Sequence, residues 1–158
     1  MEIRELGHIV LYVRDVERSA GFYRDVLGWR QILPVKDGEE TAAPRMPVAA
    51  FNAPSGRTHH ELLLIEVGED AARQPAGRRV GLYHFGLKVG DTDDELREAL
   101  ARLTESGTPV LGASDHYFTH SLYIADPDGN EIELYVDVPG VDWNDLGKMA
   151  SPARPLRL

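Results

Sequence analysis

The sequence predicts an α+β fold built from two βαβββ modules, and three observations predict it. The stretch "GLYHFGLKVGD" repeats "ELGHIVLYVRD", so that His84 falls on His8, Leu87 on Leu11, Val89 on Val13 and Asp91 on Asp15. In each copy the strand runs into a helical pattern stopped by a glycine, Gly28 in the first and Gly107 in the second. After each helix the chain reads as short apolar runs separated by turn residues.

Taken in order, residues 6–13 alternate, with Ile9, Leu11 and Val13 on one face and His8, Val10 and Tyr12 on the other. Asp15 is placed to cap a helix from Val16 to about Val26, whose residues Val16, Ala20, Tyr23 and Leu27 recur at helical spacing. Trp29–Val35 and Pro47–Asn52 read as strands around a polar loop, "KDGEETAAPR", and "HHELLLIEV" closes the module. "GEDAARQPAGRR" is a linker by composition. The order then repeats: a strand over 82–89, a helix capped by Asp91 or Thr92 and running to about Ser106, and strands in "PVLGAS", "HSLYIAD" and "EIELYVDV". "DPDGN" makes the tight turn before the last of these. The expected organisation is one domain over 1–138, with module one at 1–68, a linker at 69–79 and module two at 80–138, followed by a tail at 139–158. Two copies make a pseudo-twofold domain, not a solenoid.

Composition narrows the function classes. A chain of 158 residues is long enough to bury one core. Its 17 basic and 26 acidic residues give −9, which argues against a nucleic-acid or anionic-membrane partner. With no cysteine there is neither a disulfide framework nor a thiolate site, so any metal must sit among histidines and carboxylates. No apolar run approaches the roughly 20 residues of a membrane span. The first strand begins close to Met1 and leaves no room for a signal peptide, so the cytoplasm is the expected location.

Periodicity places the chemistry. Phe85, Leu87 and Val89 should pack on the second helix as Ile9, Leu11 and Val13 pack on the first, which turns His8 and His84 to the opposite face. In the last strand Ile132, Leu134 and Val136 take the helix side, leaving Glu131, Glu133 and Tyr135 opposite. If the modules pair symmetrically, both histidines enter one concave groove. Two imidazoles and a carboxylate from separate strands form a facial triad that leaves positions open on a divalent metal such as Fe(II) or Mn(II), or Zn(II) or Ni(II). A strand histidine is equally at home as a hydrogen-bonded rim residue, and a strand Glu as the polar side of an amphipathic strand. The residues alone leave both readings open.

"LGHIVLYVRDVERSAGFYRDVLGW" and "DPDGNEIELY" resemble the two signature segments of the vicinal oxygen chelate superfamily, and the likeness spans about residues 5–138. That superfamily includes glyoxalase I, extradiol dioxygenases, epimerases and antibiotic-resistance proteins. The resemblance implies paired modules forming an incompletely closed barrel, the glyoxalase/dioxygenase-like fold, around a metal held by His8, His84 and Glu133. "HHELLLI" resembles the strand of extradiol enzymes that carries an acid/base histidine, and His60 is the match. "SDHYFTHSLYIADPDGN" resembles the catechol 2,3-dioxygenase group, which implies that His116 and Tyr123 lie near the substrate oxygens. The tail "DVPGVDWNDLGKMASPARPLRL" is similar to that group's C-terminal extension. Two departures leave the substrate open: "YFTH" follows Asp115-His116 where the group has smaller residues, and the chain holds a single pair of modules where those enzymes often hold two.

The function implied is extradiol ring cleavage of a catechol-like diol, with Fe(II) as the expected metal and dioxygen as co-substrate. His60 would accept the diol proton, and a neutral histidine near pH 7 suits that role. A glyoxalase I-like lyase or isomerase is the alternative, with Glu61 as a fourth ligand. His60 and Glu61 are adjacent, so on a regular strand only one faces the groove. Leu62 to Ile65 are apolar on both faces and do not decide which. A metal-free module that binds a drug or metabolite, like the bleomycin-resistance proteins, is the third reading. At the level of single residues, His59 and His60 also fit an exposed pair, His116 a loop position and Tyr123 the core, while His120 is expected to be structural. A strongly anionic substrate would need arginines such as Arg45 or Arg57 in the groove. A dimer is common in the superfamily, and the tail could reach a neighbouring chain; the sequence leaves the oligomeric state open.

Overall fold

The computed structural model describes residues 1–34, 46–56, 58–75 and 77–158. Val35, the expected polar loop at 36–45 with Arg45, and Arg57 lie outside the described residues. The chain forms two compact units, Met1–Gln74 and Pro75–Leu158, and the boundary falls within the Gly- and Ala-rich linker segment.

The first unit runs β1 (Ile9–Val13), α1 (Val16–Gly21) continuing as a π-helical turn (Phe22–Val26), β2 (Arg30–Leu33), β3 (Val48–Asn52) and β4 (Leu62–Glu66). The sheet order is β1-β4-β3-β2, with β1 parallel to β4 and the other pairs antiparallel. Alternation along β1 does what the sequence predicts: Leu11 and Val13 are buried, while Val10 is 45% and Tyr12 69% exposed. Asp15 Oδ1 accepts the Arg18 N–H at 2.9 Å and starts the helix. Glu66 Oε2 accepts the Val16 N–H at 2.9 Å, which ties that helix start to the end of β4. The helix spans the expected residues but widens in its second half, and Tyr23 is fully buried in the wider turn. Gly28 follows in the left-handed region with φ +75°. Val16, Ala20 and Tyr23 meet Leu11, Val13, Phe51, Leu62 and Leu64 in one buried core.

The second unit runs β5 (His84–Gly90), α2 (Asp93–Glu105), β6 (Gly112–Asp115), β7 (Thr119–Ala125), β8 (Glu131–Asp137), a short α3 (Leu146–Met149) and β9 (Arg154–Pro155). Its sheet order is β5-β8-β7-β6-β9. Thr92 caps α2, three acidic residues fill its first turn, and Leu96 and Leu103 are buried beneath it. Ile132, Leu134 and Val136 are all buried, as the alternation of β8 requires. The matching expectation for β5 holds in full only at Phe85. A shift in the β5–β8 register between Lys88 and Gly90 turns Val89 outward. The tail, expected as an extension, returns to its own unit, where β9 pairs antiparallel with β6. Among the described residues no helix is long and apolar enough to cross a membrane.

Candidate functional site

In the second unit three strands set a row of polar side chains on one face. The register puts His84 beside Glu131, Gly86 beside Glu133, and Tyr123 beside Glu133. Because Glu131 and Glu133 are two residues apart, both lie on the face opposite the buried Ile132 and Leu134. His84 Nε2 stands 3.3 Å from Glu133 Oε2, and its Nδ1 stands 3.5 Å from Glu131 Oε1. Tyr123 OH donates to Glu133 Oε1 at 3.2 Å, and His116 Nε2 lies 2.6 Å from the same phenol. An ionised Glu133 can only accept, so the single Tyr123 proton goes to it and His116 Nε2–H donates to the phenol oxygen. Burial first, and then the charge of Glu133, push the Tyr123 phenol well above the ordinary tyrosine range. It is a permanent donor at neutral pH.

Gly86 is part of this arrangement. A Cβ there would sit 3.2 Å from Tyr135 Cε1 and 3.6 Å from Glu133 Oε2, so the absence of a side chain keeps the space over Glu133 clear.

The first unit gathers three imidazoles. His8, just before β1, has its ring 4.7 Å from that of His60 and 5.8 Å from that of His59. His59 and His60 meet Nδ1 to Nδ1 at 2.6 Å. Burial, reinforced by His59 and His8, lowers the His60 pKa, which favours the neutral ring. His60 Nε2 is buried with no hydrogen-bond partner among the described residues. Its neighbour Glu61 points elsewhere: Glu61 Oε2 accepts the Ala53 N–H at 2.7 Å. Adjacent side chains diverge, so the imidazole lies with His8 and the carboxylate holds the end of β3.

The candidate residues thus fall into two groups, His84, Glu133, Tyr123 and His116 in one unit and His8 with His60 in the other. Among the described residues, no group of three or more His, Asp or Glu side chains converges to hold an ion. His120 has a local task, with Nδ1 2.6 Å from Asp93 Oδ1 at the start of α2. Sequence reasoning gave no role to Tyr83, whose phenol pKa is raised by the neighbouring Glu131 carboxylate. Nor did it find the pairing of Arg154 with Tyr117, whose ring centroid lies 4.0 Å from the guanidinium carbon. The period-two pattern of β8 sets Glu131 on the face of Glu133, but nothing in the sequence links Tyr83 to it or pairs residue 154 with residue 117.

A family model described as the glyoxalase/bleomycin resistance protein/dioxygenase superfamily matches residues 5–134. The chain belongs to this superfamily. Its α+β fold is shared with the crystal structure of a glyoxylase/bleomycin resistance protein/dioxygenase domain from Frankia sp. EAN1pec. The TM-score there is 0.70 at 21% identity, covering 89% of this chain and 96% of that one. A catechol-2,3-dioxygenase of Bacillus subtilis (strain 168) is 37% identical over 142 residues, 90% of this chain and 45% of that protein. A lactoylglutathione lyase of Neisseria meningitidis serogroup B is 30% identical over 140 residues, 87% of this chain and 94% of that protein. The superfamily member described here therefore spans less than half the length of the dioxygenase and nearly all of the lyase.

Proposed function

We propose that this superfamily member is a metal-dependent extradiol dioxygenase acting on a catechol-like diol, with His8, His84 and Glu133 as the metal ligands. The observation that carries the reading is the divergence of His60 and Glu61. The imidazole lies against His8, whereas the carboxylate that a four-ligand lyase would require is engaged by the Ala53 N–H. Two of the three donors stand together, with His84 Nε2 and Glu133 Oε2 3.3 Å apart, and imidazole with carboxylate suits Fe(II), with Mn(II), Ni(II) and Zn(II) as substitutes. The likeness to a catechol-2,3-dioxygenase supports the same choice.

When bound, the metal supplies Lewis acidity to the diol oxygens and a route for electrons between diol and dioxygen. The remaining work falls to side chains. His60 Nε2, buried and unbonded, accepts the proton a diol hydroxyl releases, and its lowered pKa keeps it ready as a base at neutral pH. Tyr123, held protonated, orients Glu133 in the metal-free chain; with that carboxylate engaged by an ion, the same single proton would be given to an oxygen atom of the substrate. His116 fixes the phenol from the other side.

The test is anaerobic loading with Fe(II) followed by a panel of catechols. Oxygen uptake with a yellow ring-opened product is expected. Metal analysis of His8→Ala, His84→Ala and Glu133→Ala should show the ion lost from each. No oxygen uptake on any catechol, together with turnover of a hemithioacetal by the Ni(II) or Zn(II) form, would establish the lyase instead. That second reading is favoured by one observation, the coverage of 94% of a lactoylglutathione lyase.

A further inference from the structure

We infer that Glu131 is a positioning residue for His84, holding the imidazole from its far side so that Nε2 is turned toward Glu133. The inference rests on the metal reading above and assigns Glu131 and Tyr83 a part in the same site.

The register brings it about. Parallel pairing of β5 with β8 sets His84 beside Glu131, and the two-residue repeat puts Glu131 and Glu133 on one face. The His84 ring therefore lies between two carboxylates, Nε2 at 3.3 Å from Glu133 Oε2 and Nδ1 at 3.5 Å from Glu131 Oε1. Nδ1 is buried and has no formed hydrogen bond among the described residues. A buried N–H without a partner is costly, and the Glu131 carboxylate is within a few tenths of an ångström of bonding distance. An imidazole that ligates through one nitrogen works best when its other N–H is given to a carboxylate, which fixes the tautomer and raises ligand basicity.

Tyr83 completes the arrangement from the residue before the strand. Its phenol lies near the Glu131 carboxylate, and its ring lies 4.7 Å from that of His84 at 59°. Glu131 thus has the Tyr83 phenol and the His84 imidazole as neighbours. A Glu present only to make β8 amphipathic needs neither contact.

The experiment titrates the metal-free full chain with Zn(II) in competition with a chromophoric chelator. The variants are Glu131→Ala, Glu131→Gln, Tyr83→Phe and, as a reference, His84→Ala. Glu131→Ala should weaken Zn(II) binding by about 10–100-fold. Glu131→Gln, which can still accept from Nδ1–H but carries no charge, should lose less. Tyr83→Phe should lose least. Long-range 15N NMR of the metal-free chain should show His84 with its proton on Nδ1 in the parent and a mixed tautomer in Glu131→Ala. If the alanine variant melts early, the Gln and Phe variants carry the test. Should His84→Ala abolish Zn(II) binding while the Glu131 variants match the parent, the inference alone is overturned. Equal weakening by Glu131→Ala and Glu131→Gln with the tautomer unchanged would reduce Glu131 to a nearby charge and also overturn it. Unchanged Zn(II) binding in His84→Ala would remove the metal reading, and this inference with it.

Discussion

Tyr123 donates its phenol proton to Glu133 Oε1 over 3.2 Å from the register position directly opposite it on the neighbouring strand. A cross-strand pair of this kind needs no loop to aim it, because the ladder between β7 and β8 fixes both backbones. Replacing the phenol leaves a charged acceptor with one donor fewer. Tyr123→Phe should therefore lower kcat/KM by about 10–100-fold, the equivalent of about 1.5–3 kcal/mol for a hydrogen bond to a charged group. Metal content should stay at the parent level. Steady-state kinetics beside metal analysis checks both; loss of metal in this variant would make Tyr123 a support for Glu133 and not a group acting on substrate.

The same phenol sets an alkaline limit to stability. Its folded pKa is raised above the unfolded value by burial and by Glu133, and that of Tyr135 is raised by burial and then by Asp137. A raised folded pKa means that the contribution to stability is whole below the unfolded pKa and is lost as pH rises toward the folded one. The urea midpoint should show no effect of these groups below about pH 10 and fall above it. Tyr123→Phe should fall less steeply above about pH 10. Parallel falls in parent and variant would show that the phenol ionises as freely in the folded chain as in the unfolded one.

His60 and Glu61 should separate cleanly under substitution. Glu61→Ala removes the acceptor for the Ala53 N–H and should cost about 1–3 kcal/mol of stability while leaving bound metal unchanged. His60→Ala should leave stability and metal near the parent values and depress turnover by about 100-fold or more, the usual worth of a positioned general base. Chemical denaturation and metal content on the two variants decide it. A Glu61→Ala chain that stays stable but loses its ion would restore the four-ligand lyase.

That pair also marks where the sequence stops being informative. Alternation sufficed for β8, since Ile132, Leu134 and Val136 are apolar and Glu131, Glu133 and Tyr135 are not; the buried face and the polar row follow directly. The repeat located His84 by its match to His8. Around His60 the run Leu62–Ile65 is apolar throughout, and the outcome depends on a backbone N–H at Ala53, supplied by the end of another strand. Val89 misled for a similar reason, because a register shift interrupts the two-residue period. The wide turn at Phe22–Val26 keeps helical spacing in its side chains and so reads as ordinary helix. Superfamily membership was legible because its signature segments are contiguous; Tyr83 with Glu131 and Arg154 with Tyr117 are contacts of tertiary structure, with no local pattern to announce them.

The start of α2 gives a prediction at acid pH. Thr92 Oγ1 accepts the Glu95 N–H, and the Glu95 carboxylate accepts the Asp91 N–H and the Thr92 hydroxyl, both at 2.8 Å. The bond from the Asp91 N–H leads in lowering the Glu95 pKa, followed by that from the Thr92 hydroxyl. A depressed pKa contributes stability that is present above the unfolded value, about 4.3, and is lost as pH falls through the folded one. Glu95→Gln should therefore be less stable than the parent near neutral pH and converge with it in acid, as followed by circular dichroism. Thr92→Ala should cost about 1 kcal/mol. An acid limb unchanged by Glu95→Gln would mean that the carboxylate is as free in the folded chain as in the unfolded one.

The tail gives the last prediction, because it grips the loop that carries His116 from both sides. Tyr117 sits in the left-handed region with φ +67°, a conformation that a bulky residue adopts only when its surroundings hold it there. Asp115 Oδ1 accepts the Tyr117 N–H at 2.7 Å, and Arg154 in β9 both bonds the Tyr117 hydroxyl and covers its ring. On the other flank Phe118 stacks on Trp143 with centroids 5.8 Å apart, and its carbonyl accepts the Val138 N–H at 2.8 Å. Since His116 must hold its Nε2 at 2.6 Å from Tyr123 OH, loosening either neighbour should be felt there. Arg154→Ala should cost about 0.5–1 kcal/mol of stability, the worth of an exposed cation–π contact. It should also speed hydrogen exchange at the Tyr117 and Phe118 amides and lower kcat, with metal content untouched. Combining Arg154→Ala with His116→Ala should add little further loss of kcat, since both act through the same phenol. Fully additive losses would show that the tail acts on turnover by some route other than His116.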